Sequence, residues 1–321
     1  MEFADIQKAQ EKIASYIRKT PLIRAFALEE CLKSKGQIYL KCENLQATSS
    51  FKARGAFNAL LNLSSEGKKR GVVTRSSGNF AQALAYASSI LHIPATIVMP
   101  ENAPQVKKEK TAQYKPTLLF AGPTQKEEQS EVEKLASSQG LTPLSPHNHY
   151  DVIAGQGTIA LEILEILPTI TQYFCPIGGG GIMAGTATAF KAINPSVHIV
   201  GIEPEGANDY YLSRQAGKPI ALDKIDTIAD GLRAPHVGSL NWPVLQQLVD
   251  EAATVSDEQI KAAMRMLYDA MGLIVEPSGA ASVAGLLFKP DLRKQEGDIV
   301  CVLTGANVDL DLYYSWILEN Q

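Results

Sequence analysis

The sequence predicts an α/β protein with two doubly wound parallel-sheet domains. Two observations carry this. Short apolar, β-branched runs alternate with helical runs along nearly all of the 321 residues, a βαβ rhythm that places helices on both sheet faces. Several strand-to-helix turns are also rich in glycine, serine or asparagine, the residues that let a chain turn sharply from strand into helix.

The elements follow in order. The opening "MEFADIQKAQEKIASYI" reads as a polar amphipathic helix, not a secretion signal. "QIYLKCE" is a strand, and the helix containing Lys52 comes next. "GVVTR", "ATIVMP" and "TLLF" are strands, followed by the helices "NFAQALAYASSI", "QVKKEKTAQY" and "QKEEQSEVEKLASS". "LTPLSPHNHYD" leads as a loop into the helix "GQGTIALEILEIL". "YFCPI", "HIVGIEP" and "DIVCVLTG" are strands, with "IMAGTATAFKAI" and "SDEQIKAAMRMLYDAMG" as helices between them. The breaks "SSEGKKRG" and "LTPLSPHN" divide the chain into a large unit, 1–70 with 149–321, and a small substrate-side unit, 71–148.

Composition narrows the function. The chain is 45% hydrophobic and 20% charged, with a net charge of −4. It carries no basic nucleic-acid footprint and no apolar run long enough for a membrane span. Cys31, Cys42, Cys175 and Cys301 form no CxxC pair, and those in "YFCPI" and "IVCVL" read as buried free thiols. A reducing, cytoplasmic setting is expected. His147 and His149 lack zinc-binding spacing and read as loop residues.

The chemistry starts at "ATSSFKARGAFNALLNL", residues 47–63. At about 100° per residue, Arg54, Asn58 and Asn62 share one face, expected to meet solvent. Lys52 falls within roughly 40° of Ala56, Ala59 and Leu63, on the apolar side. A lysine aimed inward snorkels out or has a task; a helix that began after Lys52 would remove the puzzle.

Three turns could bind ligands. "RSSGNFAQALA" puts Ser76, Ser77, Gly78 and Asn79 where a helix begins, suited to a carboxylate or phosphate or to simple capping. "CPIGGGGIMAG" places four consecutive glycines, Gly178 to Gly181, between strand and helix, which favours close backbone approach to a phosphate. Gly179, Gly181 and Ala184 also satisfy G-x-G-x-x-A, with Glu203 at the end of the next strand, so a nicotinamide-dependent oxidoreductase is a rival reading. "VLTGANVD" offers the neutral hydroxyl of Thr304 and then Asn307.

One cofactor uses a lysine, a phosphate cradle and a partner for a pyridine nitrogen together. The motifs "SSFKARGAFNAL", "SSGNFAQALA", "GQGTIALEIL", "PIGGGGIMAG", "GIEPEGAND", "IADGLR", "VEPSGAA" and "LTGANVD" span nearly the whole chain. In that order they resemble the fold-type II pyridoxal-phosphate enzymes, specifically the serine/threonine dehydratase and serine racemase family, with its tryptophan synthase beta-like fold. The resemblance implies that Lys52 forms the Schiff base with pyridoxal phosphate. It implies that Asn79 contacts the ring oxygen, and that Gly178, Gly179, Gly180, Gly181 and Met183 hold the phosphate. Thr304 would meet the pyridine nitrogen, with Glu276 near the ring. Ser76, Ser77, Gly78 and Asn79 would bind the substrate carboxylate.

The implied reaction is β-elimination of L-threonine or L-serine to 2-oxobutanoate or pyruvate and ammonia, with Lys52 as the base at Cα. Serine racemisation and 3-hydroxyaspartate dehydration are the neighbouring activities. For racemisation, Ser77 would supply the second proton donor. Glu203, the Ala207 carbonyl and Asp209 would bind Mg²⁺, Ca²⁺ or Mn²⁺, and the enzyme would be a homodimer acting on small hydroxy amino acids. Three positions depart from the family. Ser49 stands where glycine is usual, Phe80 where histidine is usual, and Ala47 where nucleotide-activated racemases carry lysine.

Overall fold

The computed structural model describes residues 1–318 apart from 102, 104, 123, 124 and 295; the side chains of 106 and 125 also lie outside the description. Ten strands are present among the described residues: β1 Leu22–Arg24, β2 Ile38–Lys41, β3 Val72–Arg75, β4 Ala95–Pro100, β5 Thr117–Ala121, β6 Thr142–Pro143, β7 Ile170–Pro176, β8 His198–Pro204, β9 Glu251–Val255 and β10 Asp298–Val302. They form a six-stranded sheet, ordered β1-β2-β10-β7-β8-β9, and a four-stranded sheet, ordered β5-β4-β3-β6. Every pairing is parallel except β1 with β2. Parallel strands need crossovers, and helices supply them. The central strands are apolar on both faces because both faces are covered: β7 is buried along all but one position.

Local chemistry explains the long helices. Asp257–Met271 opens on a capping box, in which the Ser256 hydroxyl accepts from the Gln259 N–H and the Gln259 side chain accepts from the Ser256 N–H. It closes on left-handed Gly272, φ 64°. Pro277–Phe288 starts with proline in its first turn, where the missing N–H is not needed. Helices Lys52–Leu61, Tyr150–Ile166 and Gly181–Ile193 cross closely. At the first crossing, a Cβ on Gly155 would stand 2.6 Å from the Arg54 carbonyl oxygen, so only glycine admits this approach.

Several expectations change. Arg54 and Asn58 do not face solvent; they are 0% and 1% exposed, and only Asn62 remains outside. Helix Tyr150–Ile166 covers that face and supplies Glu162 and Thr158 as partners for Arg54. The break "SSEGKKRG" contains a helix, Ser65–Arg70, capped by the Ser64 hydroxyl. Strands β1, β6 and β9 and helices Phe26–Leu32, Asp209–Ala216, Trp242–Leu248 and Leu310–Leu318 were not anticipated. Cys42, Cys175 and Cys301 are buried free thiols and Cys31 is exposed. No helix among the described residues is long and apolar enough to cross a membrane.

Candidate active site

The carboxyl ends of β2, β7 and β10 converge with the turn after β3. In open parallel sheets, ligands bind at such ends. Lys52 is the first residue of helix Lys52–Leu61, so the helix does not begin after it. The preceding loop is pinned to the end of β10: Ser50 bridges Gly305, and the Phe51 N–H donates to the Thr304 carbonyl oxygen at 3.1 Å. Ser49, at the position where the family uses glycine, has φ 53°. A serine there carries the steric cost that glycine would avoid.

The Lys52 amine donates to the Pro146 carbonyl oxygen at 2.8 Å and lies 4.8 Å from the Phe51 ring centroid and 6.0 Å from that of Phe80. Part of the residue's surface faces the cleft, yet the amine itself is enclosed. Burial lowers its pKa to about 8, against a smaller upward pull from Glu276. Phe80 thus gives Lys52 an apolar wall where a histidine would give a polar one.

The four glycines follow β7. Gly180 has φ 85° and caps helix Gly181–Ile193, whose first N–H groups have no partner within the helix. That end favours an anion. Met183 contributes only its backbone, since its side chain is in the core. The loop is clamped from outside. Asn241 Nδ2 donates to the Gly179 carbonyl at 2.6 Å and to the His147 carbonyl at 2.9 Å. The His147 imidazole packs so tightly that a Cβ on Gly179 would sit 2.3 Å from it. Burial, with Lys52 next, holds the His147 pKa down to about 3, so the ring is neutral beside the amine. Neither His147 nor Asn241 was identified from sequence: "SPHNHYD" reads as an ordinary loop, and no pattern marks "NW".

Asn79 begins helix Asn79–Leu91. Its Nδ2 donates to Glu276 Oε1 at 2.6 Å, and its Oδ1 accepts from Asn307 Nδ2 at 2.9 Å. Glu276 is 2% exposed, not a loop carboxylate in solvent. Burial raises its pKa to about 7, opposed by Asn79, by Lys107 and by the Asn307 N–H. The Ser76 hydroxyl accepts from the Gly78 and Ala81 N–H groups. The Ser77 and Thr304 hydroxyls make no hydrogen bond among the described residues. Lys107, on helix Gln105–Ala112, pairs with Asp230 across the cleft.

The acidic turn lies elsewhere, after β8. Both Glu203 oxygens accept from backbone, the Tyr210 N–H at 3.1 Å and the Tyr211 N–H at 2.6 Å. Glu203 is 1% exposed and turned toward the following helix start, so it is not presented to a ribose, which counts against the dinucleotide reading of "GGGGIMA" with Glu203. Burial, then the charge of Asp209, pushes Glu203 well above the ordinary carboxylate range. Neither Asp209 oxygen has a hydrogen-bond partner. The Val237 N–H draws near without bonding, and burial lifts the Asp209 pKa to about 7. Two buried carboxylates and a backbone carbonyl fit a hard cation. No cluster of three or more histidine, cysteine or acidic ligands occurs among the described residues.

The residues also fit pyridoxal phosphate. A depressed amine, a glycine cradle at a helix start and an unpaired neutral hydroxyl at Thr304 border one cleft. Comparison agrees. The sequence profile of the pyridoxal-phosphate dependent enzyme family matches residues 13–305. The chain is 39% identical to an L-threo-3-hydroxyaspartate ammonia-lyase from a Pseudomonas species over 314 residues, covering 98% of this chain and 97% of the relative. It is 38% identical to a catabolic L-threonine dehydratase from Staphylococcus aureus over 313 residues, covering 97% and 90%. The solved structure of maize serine racemase superposes with a TM-score of 0.94 at 38% identity, covering 99% of this chain and 97% of that one. This chain belongs to the pyridoxal-phosphate dependent enzyme family, among its ammonia-lyases and racemases.

Proposed function

We propose that this chain is an ammonia-lyase that converts small β-hydroxy amino acids to the 2-oxo acid and ammonia, with L-threonine, L-serine and 3-hydroxyaspartate as the candidate substrates. The observation that carries this is the Lys52 amine, enclosed by Phe51 and Phe80 with its pKa lowered to about 8. A useful fraction of an amine so tuned, roughly a tenth at pH 7 against well under a thousandth for an ordinary lysine, is neutral and can take a proton from Cα. When bound, pyridoxal phosphate supplies the electron sink that makes the Cα proton acidic.

The chain's own groups then divide the work. Gly178 to Gly181 and the Met183 N–H hold the phosphate, and Thr304 offers a neutral hydroxyl to the ring nitrogen. Asn79, fixed by Glu276 and Asn307, reaches the ring oxygen. Ser76, Ser77, Gly78 and the Asn79 N–H hold the substrate carboxylate at a helix start. Neutral His147 braces the cradle without adding charge beside Lys52. The β-hydroxyl departs as water. The released 2-aminoacrylate-type enamine tautomerises to the imine, and a solvent water hydrolyses it, supplying the keto oxygen and freeing ammonia, so threonine yields 2-oxobutanoate and serine yields pyruvate. Glu203, Asp209 and the Ala207 carbonyl would hold a divalent cation that neutralises the buried acidic turn.

Lys52→Ala tests the reading. Oxo-acid formation from serine and threonine should fall by at least about 10²–10⁴-fold, with the thermal transition preserved. Full turnover by that variant ends the lyase reading. A racemase side activity is favoured by one observation, the free Ser77 hydroxyl. Residues 71–148 form the substrate-side unit on this reading, and the enzyme is a cytoplasmic homodimer. Helix Leu310–Leu318, which leaves Leu310 54%, Tyr314 38% and Leu318 52% exposed at i, i+4 and i+8 on one face, supports pairing. Sedimentation at the monomer mass would count against the dimer.

A further inference from the structure

A second concave site lies at the opposite edge of the large sheet, where β2 and β10 begin. Its space measures about 170 Å³, more than ten times what one enclosed water needs. Two loops form its rim. Lys33 and Lys35 come from the turn after helix Phe26–Leu32; Arg293 and Lys294 come from the turn before β10. Leu32, Ile38 and Ile299 make an apolar floor.

Both loops are held in place. Ser34 Oγ donates to the Gly36 carbonyl at 2.8 Å, and the Ser34 N–H donates to the Glu29 carbonyl at 2.9 Å. Fully buried Gln172 clamps the other turn, donating to the Leu292 carbonyl at 2.6 Å and accepting from the Lys294 N–H at 3.1 Å. The two turns that carry the four cationic residues are therefore held in place beside one space.

No carboxylate answers them. None of the four makes an ion pair among the described residues. Glu29 is taken by Arg24, and Asp298 accepts from the Gln37 N–H and the Thr169 hydroxyl. Exposed Asp291 and Glu296 are neighbours in sequence but do not line the space. The Arg293 Nε is buried with no acceptor among the described residues. Lysines near a helix C-terminus have an ordinary explanation in the helix dipole. A buried guanidinium N–H without an acceptor does not, because such a group is costly unless something completes it.

We propose that this pocket binds a small phosphorylated molecule. The phosphoryl dianion would lie among Arg293, Lys33, Lys35 and Lys294, with its organic body on the Leu32, Ile38 and Ile299 floor. Four cationic residues lining one space suit a dianion better than a single carboxylate, and the arginine fork fits phosphate oxygens. The site is separate from the catalytic cradle. It lies at the amino ends of β2 and β10, whereas Lys52 and Thr304 lie at their carboxyl ends.

The test is calorimetric titration of the holoenzyme, in which the catalytic phosphate cradle is already filled. AMP and inorganic phosphate serve as probes, at fixed ionic strength. AMP should saturate at about 1 mM or below, equivalent to at least ~4 kcal/mol of binding. Arg293→Gln and Lys294→Gln should each weaken it about tenfold or more, with serine turnover unchanged. Exposed Lys35→Gln repeats the test where Arg293→Gln unfolds the chain. Tighter binding of AMP than of phosphate supports an organic phosphate on the apolar floor. Equal affinity supports the phosphoryl cradle with free phosphate as its occupant. Absence of saturation by both probes overturns the proposal, as does AMP binding that the variants leave intact. Binding of RNA or anionic vesicles without AMP binding overturns it as well.

Discussion

Two buried clusters of charge sit on the same large sheet and are resolved in opposite ways. In the first, Arg54 reaches both Glu43 and Glu162, with N···O distances of 2.8 Å and 2.7 Å. Lys41 also pairs with Glu162, and Thr20 donates to Glu43. Burial alone would raise Glu43, but Arg54 and Lys41 overcome it and its pKa falls. In the second, Glu203 and Asp209 face each other with no cation, and burial raises both. Charges that close on themselves hold the fold together; charges left open ask for a ligand. Lys52 is two residues from Arg54 yet belongs to the second kind.

The sharpest way to break the comparison is to open the closed cluster. Arg54→Met leaves Glu43 and Glu162 buried with only Lys41 between them. Removing one member of such a network costs about 3–5 kcal/mol, and denaturant unfolding should show that loss. Replacing Arg54, Glu43, Glu162 and Lys41 together with apolar residues should recover most of it, because no buried charge is then left without a partner. A single variant as stable as the parent would mean that the cluster is not structural.

The open cluster should respond to a divalent cation. Added Mg²⁺, Ca²⁺ or Mn²⁺ should raise the thermal transition, and chelator should reverse the gain. Saturation at about 100 times Kd corresponds to roughly 2.7 kcal/mol. Glu203→Gln should abolish the response while stabilising the metal-free protein, because it removes half of the repulsion. A transition unmoved by metal and chelator would leave the turn as a protonated acidic pair.

Lys52 gives a smaller and more local effect. With its pKa near 8, its neutral fraction should rise about tenfold from pH 7 to 9 and then level off. The sign follows from burial: the folded environment disfavours the ammonium, so deprotonation comes earlier than the ordinary 10.5. Acetylation of Lys52 in cofactor-free protein, followed by mass spectrometry, should plateau above pH 9. A rate still climbing at pH 10 would mean an unperturbed lysine.

How much of this was legible in sequence follows the same division. The inward direction of Lys52, the glycine loop and the hydroxyl turns were legible because each is local: a wheel or a strand-to-helix turn defines them. Arg54 and Asn58 misled because a wheel separates faces without saying what covers them. Glu162, 108 residues away, turns a polar face into an interior one. His147 and Asn241 act only through the loop they clamp, so no local pattern marks them. Strands β1 and β6, at three and two residues, are too short for periodicity to register, and β9, "EAATV", is only partly buried at four of its five positions and so lacks the apolar run that marks the other strands. The cationic pocket at the amino ends of β2 and β10 joins segments some 260 positions apart and was invisible for the same reason.

The smallest expected effect is also the finest test of open against closed polar groups. Within one turn, the Ser76 hydroxyl is used twice by backbone N–H groups, whereas the Ser77 hydroxyl makes no hydrogen bond among the described residues. Elimination needs one base, Lys52, on one face of the substrate. Racemisation needs a proton donor on the opposite face as well, because the carbanion at Cα must be reprotonated from there. If the free Ser77 hydroxyl serves that role, wild-type enzyme given L-serine should produce pyruvate and, more slowly, D-serine. Ser77→Ala should then lose D-serine formation and keep pyruvate formation within a few-fold. Ser76→Ala should instead loosen the turn and weaken both reactions together, mainly through KM, since Ser76 shapes the carboxylate site. Pyruvate without D-serine in wild-type enzyme would make Ser77 a contact for the substrate carboxylate alone. The protein would then be a plain dehydratase.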